Sequence, residues 1–208
     1  MKKSVIYLFV LILLLVPMIS AVSFDMKENY SRGEIIITKI SGYFLEPILS
    51  SNVLFYRAHV RVPIDFEISK IEDNYYLYAD LAGKTSGNYS VVIKNVRHMD
   101  FTETNENDII QNFSITNEIA SFSVSPGFVS ADKDFSLELK NLIDSSVDVS
   151  IKINTEAETG GGIFGLGGQT SSNVSSITLE AGEVQGLSFN INSFNEGENN
   201  VKLSANNL

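Results

Sequence analysis

A row of basic side chains is the most distinctive chemistry in the sequence, and it lies in residues 55–63. We predict that this segment is part of one strand, and alternate side chains of a strand share a face. Arg57, His59 and Arg61 would then project together. Arginine holds carboxylates and similar anions through paired hydrogen bonds, so the row would suit an acidic partner or a charged glycan.

The same row has an alternative, structural role. Pro63 is expected to turn or bulge the chain, and the next predicted strand offers Asp65 and Glu67 on one face. Opposite charges that face each other across strands stabilise a sheet by up to about 1 kcal/mol. The sequence leaves the binding role and the pairing role open.

A second row is aromatic and lies in residues 74–80, where alternation places Tyr76, Tyr78 and Asp80 on one face. An exposed tyrosine row beside an acid is typical of surfaces that bind sugars or peptides, because the ring stacks while the hydroxyl bonds. The alternative is that tyrosine is simply a good strand residue whose hydroxyl reaches the rim of the sheet.

Catalytic and metal-binding patterns are absent from the sequence. The two histidines, His59 and His98, do not form a zinc motif, and no Gly-x-Ser-x-Gly elbow is present. The acidic connection at residues 100–108 lacks the spacing of a calcium loop, so we expect a solvated loop. We therefore predict no enzyme activity, no cofactor and no metal. An exported hydrolase that uses two carboxylates is a remote alternative.

Four N-x-S sequons could accept glycans in an exported chain. They begin at Asn29, Asn88, Asn112 and Asn173.

Charge and composition exclude further classes. The 208 residues include 15 Lys and Arg against 25 Asp and Glu, a net charge of −10, with no Cys. Phosphate contacts need clustered basic residues, so a nucleic-acid partner is not expected. Without Cys there can be no disulfide, and stability must come from the core.

The N-terminus has the parts of a secretory signal peptide, namely two lysines, an apolar run and small residues. We predict a signal peptide over residues 1–23, cleaved after Ala21 or Ser23. The alternative is an uncleaved membrane tether through residues 4–22. Either way, we expect the rest of the chain to be extracytoplasmic, secreted or at the cell surface.

The segments that position these residues alternate between apolar and polar side chains with period two, and turn residues separate them. The predicted strands of the first part are Glu34–Ile40, Asn52–Val62, Asp65–Ile71, Asn74–Leu81, Asn88–Val96 and Gln111–Thr116. Those of the second part are Ser121–Val124, Asp134–Lys140, Val147–Asn154, Val174–Leu179, Val184–Ile191 and Asn199–Ser204.

The pattern predicts an all-β protein of two tandem antiparallel immunoglobulin-like β-sandwiches, one over residues 24–117 and one over residues 118–208. Composition changes at the boundary, because every Arg and both His lie before it. Tyr89 follows a glycine at the start of a late strand, as in a tyrosine corner. A Gly-rich insertion near residues 155–173 is expected to be a hairpin tip, or else to bury Ile163, Phe164 and Leu166 in a membrane or partner.

The second part also resembles a family of prokaryotic surface modules, the CARDB type (cell-adhesion-related domain in bacteria). The resemblance covers roughly residues 120–205. It rests on Pro126 near the end of the first strand, Lys140-Asn141 at the end of the second, and the turn Leu179-Glu-Ala-Gly-Glu183 before a paired strand. It implies an exported spacer or adhesion module, and no catalytic residues carry over from it.

These observations lead to one principal functional expectation. The chain is predicted to be an exported, non-catalytic surface protein that acts as an adhesion, envelope or binding module, with a cell-envelope protein or glycan as partner. The main alternative is a carbohydrate-binding accessory of a surface complex, which would need Tyr76, Tyr78 and the Arg57–Arg61 row on one concave surface.

Overall fold

The structure is a computed structural model that describes residues 22–100, 103–154, 173–194 and 199–206. Its regular elements are β-strands and two short 3-10 turns, so the predicted all-β class is confirmed. The predicted signal peptide up to Ala21 and most of the Gly-rich insertion lie outside the described residues.

In the first half, residues 22–119, the described residues form ten strands in two sheets. The orders are β1-β3-β8-β7 and β2-β10-β9-β5-β6, and β4 pairs with the far end of β9. The strands are β1 (Ser23–Asp25), β2 (Asn29–Arg32), β3 (Ile35–Ser41), β4 (Tyr43–Phe44), β5 (Val53–Arg57), β6 (Val60–Arg61), β7 (Asp65–Ile71), β8 (Asn74–Asp80), β9 (Gly87–Asp100) and β10 (Glu103–Ile119).

The two sheets of the first half share one hydrophobic core. Ile36 and Leu77 point into it from the four-stranded sheet, and Val91 and Ile93 from the other sheet. All four are fully buried. The residues on either side of Ile36 and Leu77 are partly or fully exposed, whereas Val92, between Val91 and Ile93, is also buried. Period-two alternation therefore places the core where the sequence predicts it.

In the second half, residues 120–206, the described residues form six strands in two three-stranded sheets, ordered β11-β12-β15 and β14-β13-β16. Their separate core includes Leu139, Val149 and Leu179. The strands are β11 (Phe122–Ser125), β12 (Phe135–Asn141), β13 (Val147–Asn154), β14 (Asn173–Leu179), β15 (Val184–Phe189) and β16 (Asn200–Asn206).

The prediction of a solvated loop at residues 100–108 is wrong. Residues 103–108 form the start of β10 and pair with β9, beginning with Glu103 opposite Asp100. Asp108 accepts hydrogen bonds from Lys94 and from the backbone N–H of Asn95, which holds the pKa of its carboxyl below the usual range. Cross-strand pairing thus outweighs the weak strand preference of these polar residues.

The tyrosine corner is confirmed. The Tyr89 hydroxyl donates a hydrogen bond of 2.7 Å to the carbonyl of Thr85, four residues upstream. Its ring stacks on Phe113, with 5.6 Å between ring centres. The corner therefore fixes the start of β9, the central strand of the larger sheet, to the preceding turn.

The polypeptide crosses between the halves at the end of β10. The predicted boundary at residues 117–118 falls inside this strand, which continues until Ile119 pairs with Arg32. Ala120 donates its backbone N–H to the Arg32 carbonyl. Ile35, the first residue of β3, packs against the core of the second half, so the two halves are in contact.

Candidate functional site

The predicted basic row does not form, and the single strand Asn52–Val62 is wrong. The chain reverses at Ala58 and His59, so that Arg57 lies opposite Val60 and Tyr56 opposite Arg61. Ala58 has a φ of 52°, a left-handed conformation that costs a non-glycine residue about 1–2 kcal/mol. The backbone pairing of the short β5–β6 hairpin offsets this cost. The sequence did not predict the hairpin, because its turn contains neither Gly nor Asn.

Arg57 has local partners at the end of the core. Its Nη2 donates a hydrogen bond of 2.9 Å to the Ser86 carbonyl, and its Cζ lies 5.9 Å from the centre of the Tyr89 ring. Gly87 leaves room for this side chain, because a Cβ there would lie 3.2 Å from Arg57 Nε. Arg57 therefore covers the tyrosine corner, although it remains exposed on one side.

The predicted pairing of the basic row with Asp65 and Glu67 is also wrong. These carboxylates lie on β7, which pairs with β8 in the other sheet, where Asp65 faces Asp80 and Glu67 faces Tyr78. The alternation that places Tyr76 and Tyr78 together on β8 is confirmed, since the residues between them are buried.

Tyr78 joins the two halves. Its ring lies against Gly127 of the second half. Burial raises the pKa of the Tyr78 hydroxyl, and a hydrogen bond with the Ser125 side chain opposes this shift only in part. Tyr76 lies two residues earlier on the same face and lines a cleft between the halves. The ammonium group of Lys39 lies 5.8 Å from the centre of the Tyr76 ring.

The five predicted binding residues do not form one surface. Tyr76 and Tyr78 lie on the outward face of the four-stranded sheet, whereas Arg57, His59 and Arg61 lie on the β5–β6 hairpin of the opposite sheet. The concave patch that would support the carbohydrate-binding alternative is therefore not assembled from these residues.

The cleft that Tyr76 lines has a volume of about 1290 Å³ and is formed by both halves. Its charged side chains are Asp25, Lys27, Glu34 and Lys202. Its apolar side chains include Ile35, Ile37, Phe122, Phe128, Phe194 and Leu203. It extends from the outward face of the four-stranded sheet to β11 and β16 of the second half.

The polar groups at the first-half side of the cleft form hydrogen bonds with one another. Both carboxylate oxygens of Glu34 accept hydrogen bonds, one from Lys27 Nζ and one from the Ser31 backbone. The Tyr30 hydroxyl accepts the Lys27 backbone N–H at 3.1 Å. Burial raises the pKa of Tyr30 to about 12, and the nearby carboxylates of Glu34 and Asp25 add to the shift.

Three of the four sequons lie on one face of the larger sheet. Ser114 lies opposite both Asn29 and Asn88, and Asn112 lies opposite Ser90 in the next row on that face. All three asparagines are exposed. Asn173 begins β14.

The described residues contain neither a metal-binding cluster nor a membrane-spanning helix. Among them, no group of three or more His, Asp or Glu is placed to hold a metal ion. No helix in that part of the chain is long and apolar enough to cross a membrane.

Sequence reasoning missed the cleft and its apolar walls. The sequence predicts the strands that contain Phe122, Phe135 and Leu203. It does not predict that these three side chains line an opening at the side of the second half. No local pattern in the sequence marks this opening, because it depends on how the strands of the two halves pack together.

Comparison with known proteins identifies no family. No family model matches the sequence, and no curated protein matches it. One similar solved structure is a DUF4785 family protein from Legionella pneumophila subsp. pneumophila str. Philadelphia 1, 16% identical over 88% of this chain and 52% of that chain, with a TM-score of 0.34. Another is a native alpha-2-macroglobulin from Escherichia coli, 12% identical over 83% of this chain and 60% of that chain, with a TM-score of 0.32.

This chain thus spans about half to three fifths of the length of those two structures. At such TM-scores neither similarity carries an argument about function.

Proposed function

We propose that the chain is an exported, non-catalytic surface protein of two tandem immunoglobulin-like sandwiches that binds a cell-envelope protein or glycan in the cleft between them. The cleft is the observation that carries the proposal. Binding sites occur preferentially at junctions between domains. At about 1290 Å³, this cleft exceeds the roughly 300–1,000 Å³ usual for small-molecule sites.

The strand order supports immunoglobulin-like sandwiches. In the second half, the first, second and fifth strands share one sheet, and the third, fourth and sixth strands share the other. The A, B and E strands and the C and F strands of an immunoglobulin domain are divided in the same way. In the first half, the tyrosine corner at Tyr89 is a further feature of such domains.

The groups available for catalysis support a binding role. Asp25 and Glu34 are the carboxylates that line the cleft, and hydrogen bonds to both oxygens of Glu34 leave that residue poorly placed to exchange a proton. His98 is buried, with its Nδ1 3.3 Å from the Val96 carbonyl, and His59 lies in the β5–β6 turn. The two histidines are therefore held in separate structural settings.

A protein partner is favoured over a glycan. Sugars stack on free aromatic faces, but the ammonium of Lys39 lies over the Tyr76 ring. The cleft walls are instead rich in aliphatic and phenylalanine side chains, which suit the side chains of a polypeptide. Export is the second part of the proposal and rests on the signal-peptide pattern of residues 1–23.

The test is binding to isolated cell envelopes by the purified chain and by two matched variants. Tyr76→Ala changes a side chain in the cleft, whereas Tyr43→Ala changes a tyrosine on β4 that is 63% exposed and does not line the cleft. The proposal predicts that Tyr76→Ala weakens binding at least fivefold and that Tyr43→Ala leaves it unchanged. Equal affinity for all three proteins would contradict it.

A further inference from the structure

We propose that the second half binds its partner by strand addition, taking up an extended polypeptide segment beside β16 along the cleft. This inference rests on the proposed binding function and specifies how the partner is held. The occupant is a segment of a partner protein whose apolar side chains alternate with polar ones.

The free edge of β16 is the first observation. β16 pairs with β13 on one side, and within the described residues no strand lies on its other side. An unpaired edge presents a row of backbone N–H and C=O groups to any extended segment that reaches it.

The incomplete cover of the second core is the second observation. Among the described residues, this core has eight buried side chains and eleven that are only partly buried. The core of the first half shows the opposite balance, with seventeen buried and eight partly buried. Phe122, Phe135, Val201 and Leu203 are partly buried core residues that also line the cleft. A strand laid beside β16 would cover them.

The shape of the cleft fits a strand. β11 is one edge strand of the first sheet of the second half, β16 is one edge strand of the other, and both line the cleft. A strand as long as the seven residues of β16 spans about 23 Å. The volume of the cleft, above the usual range for small ligands, is consistent with an occupant of that size.

Charge specifies one position of the incoming segment. Lys202 lies directly opposite Lys152, and like charges in such a pair repel. Lys202 is exposed and is flanked by the inward-facing Val201 and Leu203. A carboxylate on the new strand opposite Lys202 would offset this repulsion, so we expect an acidic residue there.

Charge also favours a different protein over a second copy of this chain. Each copy carries a net charge of −10, and residues 118–208 contain four Lys against twelve acidic residues. Two such halves repel each other on approach.

A peptide built from the chain itself provides the probe. The sequence of residues 147–154 already pairs with β16 from the other side, with Lys152 opposite Lys202. The probe is this eight-residue peptide with its lysine replaced, Lys152→Glu. The first control is the unchanged peptide, and the second is the probe with alternate backbone nitrogens methylated, which cannot donate hydrogen bonds at those positions.

Binding is measured by calorimetry, and the amide hydrogen exchange of residues 200–206 is followed with each peptide. We expect the probe to bind and to slow exchange in β16, the methylated peptide to fail, and the unchanged peptide to bind up to about fivefold more weakly. The protein variant Lys202→Glu should reverse the preference between the two charged peptides. Lys140→Glu, on the exposed face of the other sheet, should not.

Three results would overturn the inference: equal binding of the methylated peptide, unchanged exchange in β16, or no binding of the probe. Protection of β16 that rises with protein concentration in the absence of peptide would overturn the choice of occupant in favour of a second copy. If the probe peptide does not bind but Tyr76→Ala still weakens envelope binding, only the strand-addition inference is contradicted. If the probe peptide binds but Tyr76→Ala leaves envelope binding unchanged, only the proposed function is contradicted.

Discussion

The ring of Tyr78 on β8 lies directly against Gly127, just after β11, so that these two residues join the two halves of the chain. A Cβ on Gly127 would lie 2.6 Å from Tyr78 Cε2 and 3.1 Å from Cγ, well inside van der Waals contact. Only the absence of a side chain at position 127 allows the ring to approach this closely. The same outward face of β8 carries Tyr76 into the cleft, so the junction also sets the position of the cleft wall.

Gly127→Ala should therefore destabilise the junction. We expect the free energy of unfolding to fall by about 1–3 kcal/mol, because the added methyl group forces the tyrosine ring or the backbone to move. Urea unfolding measures the change. Gly186→Ala is the matched control, since no atom lies within 4 Å of a Cβ there. A Gly127→Ala variant as stable as Gly186→Ala would show that the contact does not contribute.

Asn141 should be the most sensitive polar residue in the second half. It is 1% exposed. The two hydrogens of its Nδ2 are shared among the carbonyls of Ser145, Leu179 and Glu180, and its Oδ1 accepts the backbone N–H of Ile143. Asn141→Ala leaves these buried groups without their partner, which should cost about 3 kcal/mol in thermal or urea unfolding.

The control for this variant is Asn117→Ala, at an exposed position, where the change should stay within about 0.5 kcal/mol. Comparable losses at positions 117 and 141 would contradict the role assigned to Asn141.

Tyr30 should make the stability of the first half sensitive to alkaline pH. Its pKa is raised from 10.0 to about 12 by burial, and the facing charges are Lys27, Glu34 and Asp25. Between these pH values the unfolded chain loses the phenolic proton while the folded chain keeps it. Stability that is present below pH 10 is therefore lost as the pH rises towards 12, by up to about 2–3 kcal/mol.

Tyr30→Phe removes the ionisable group, so it should flatten the fall in stability between pH 10 and 12. Urea unfolding across this pH range measures the slope, and the ultraviolet absorbance of tyrosinate follows the ionisation itself. Tyr43→Phe serves as the control because that side chain is 63% exposed. An identical slope in the wild type and in Tyr30→Phe would contradict the prediction.

The elements that the sequence predicts well are those that depend on local alternation. β8 and β12 occupy the predicted positions because apolar side chains recur every second residue and the intervening residues face outward. The tyrosine corner at Tyr89 was also visible, since Gly87 and Tyr89 stand two residues apart at the start of a strand. In each case the deciding interactions lie within a few residues of each other.

The features that the sequence did not predict depend on distant partners. The β5–β6 hairpin turns at Ala58 and His59, which are not typical turn residues, because β5 is held in place by its pairing with β9. The polar start of β10 is a strand because β9 extends to Asp100 beside it. The cleft depends on the contact between Tyr78 and Gly127 and on the free edge of β16.

Amide hydrogen exchange of the whole chain, with and without isolated cell envelopes, tests the central claim most directly. The claim is that the cleft between the halves receives the partner. It predicts slower exchange in residues 122–128 and 200–206 and no change in residues 54–61, which include the β5–β6 hairpin. Protection of the hairpin with no change at β16 would contradict the claim and restore Arg57 and Arg61 as the binding residues.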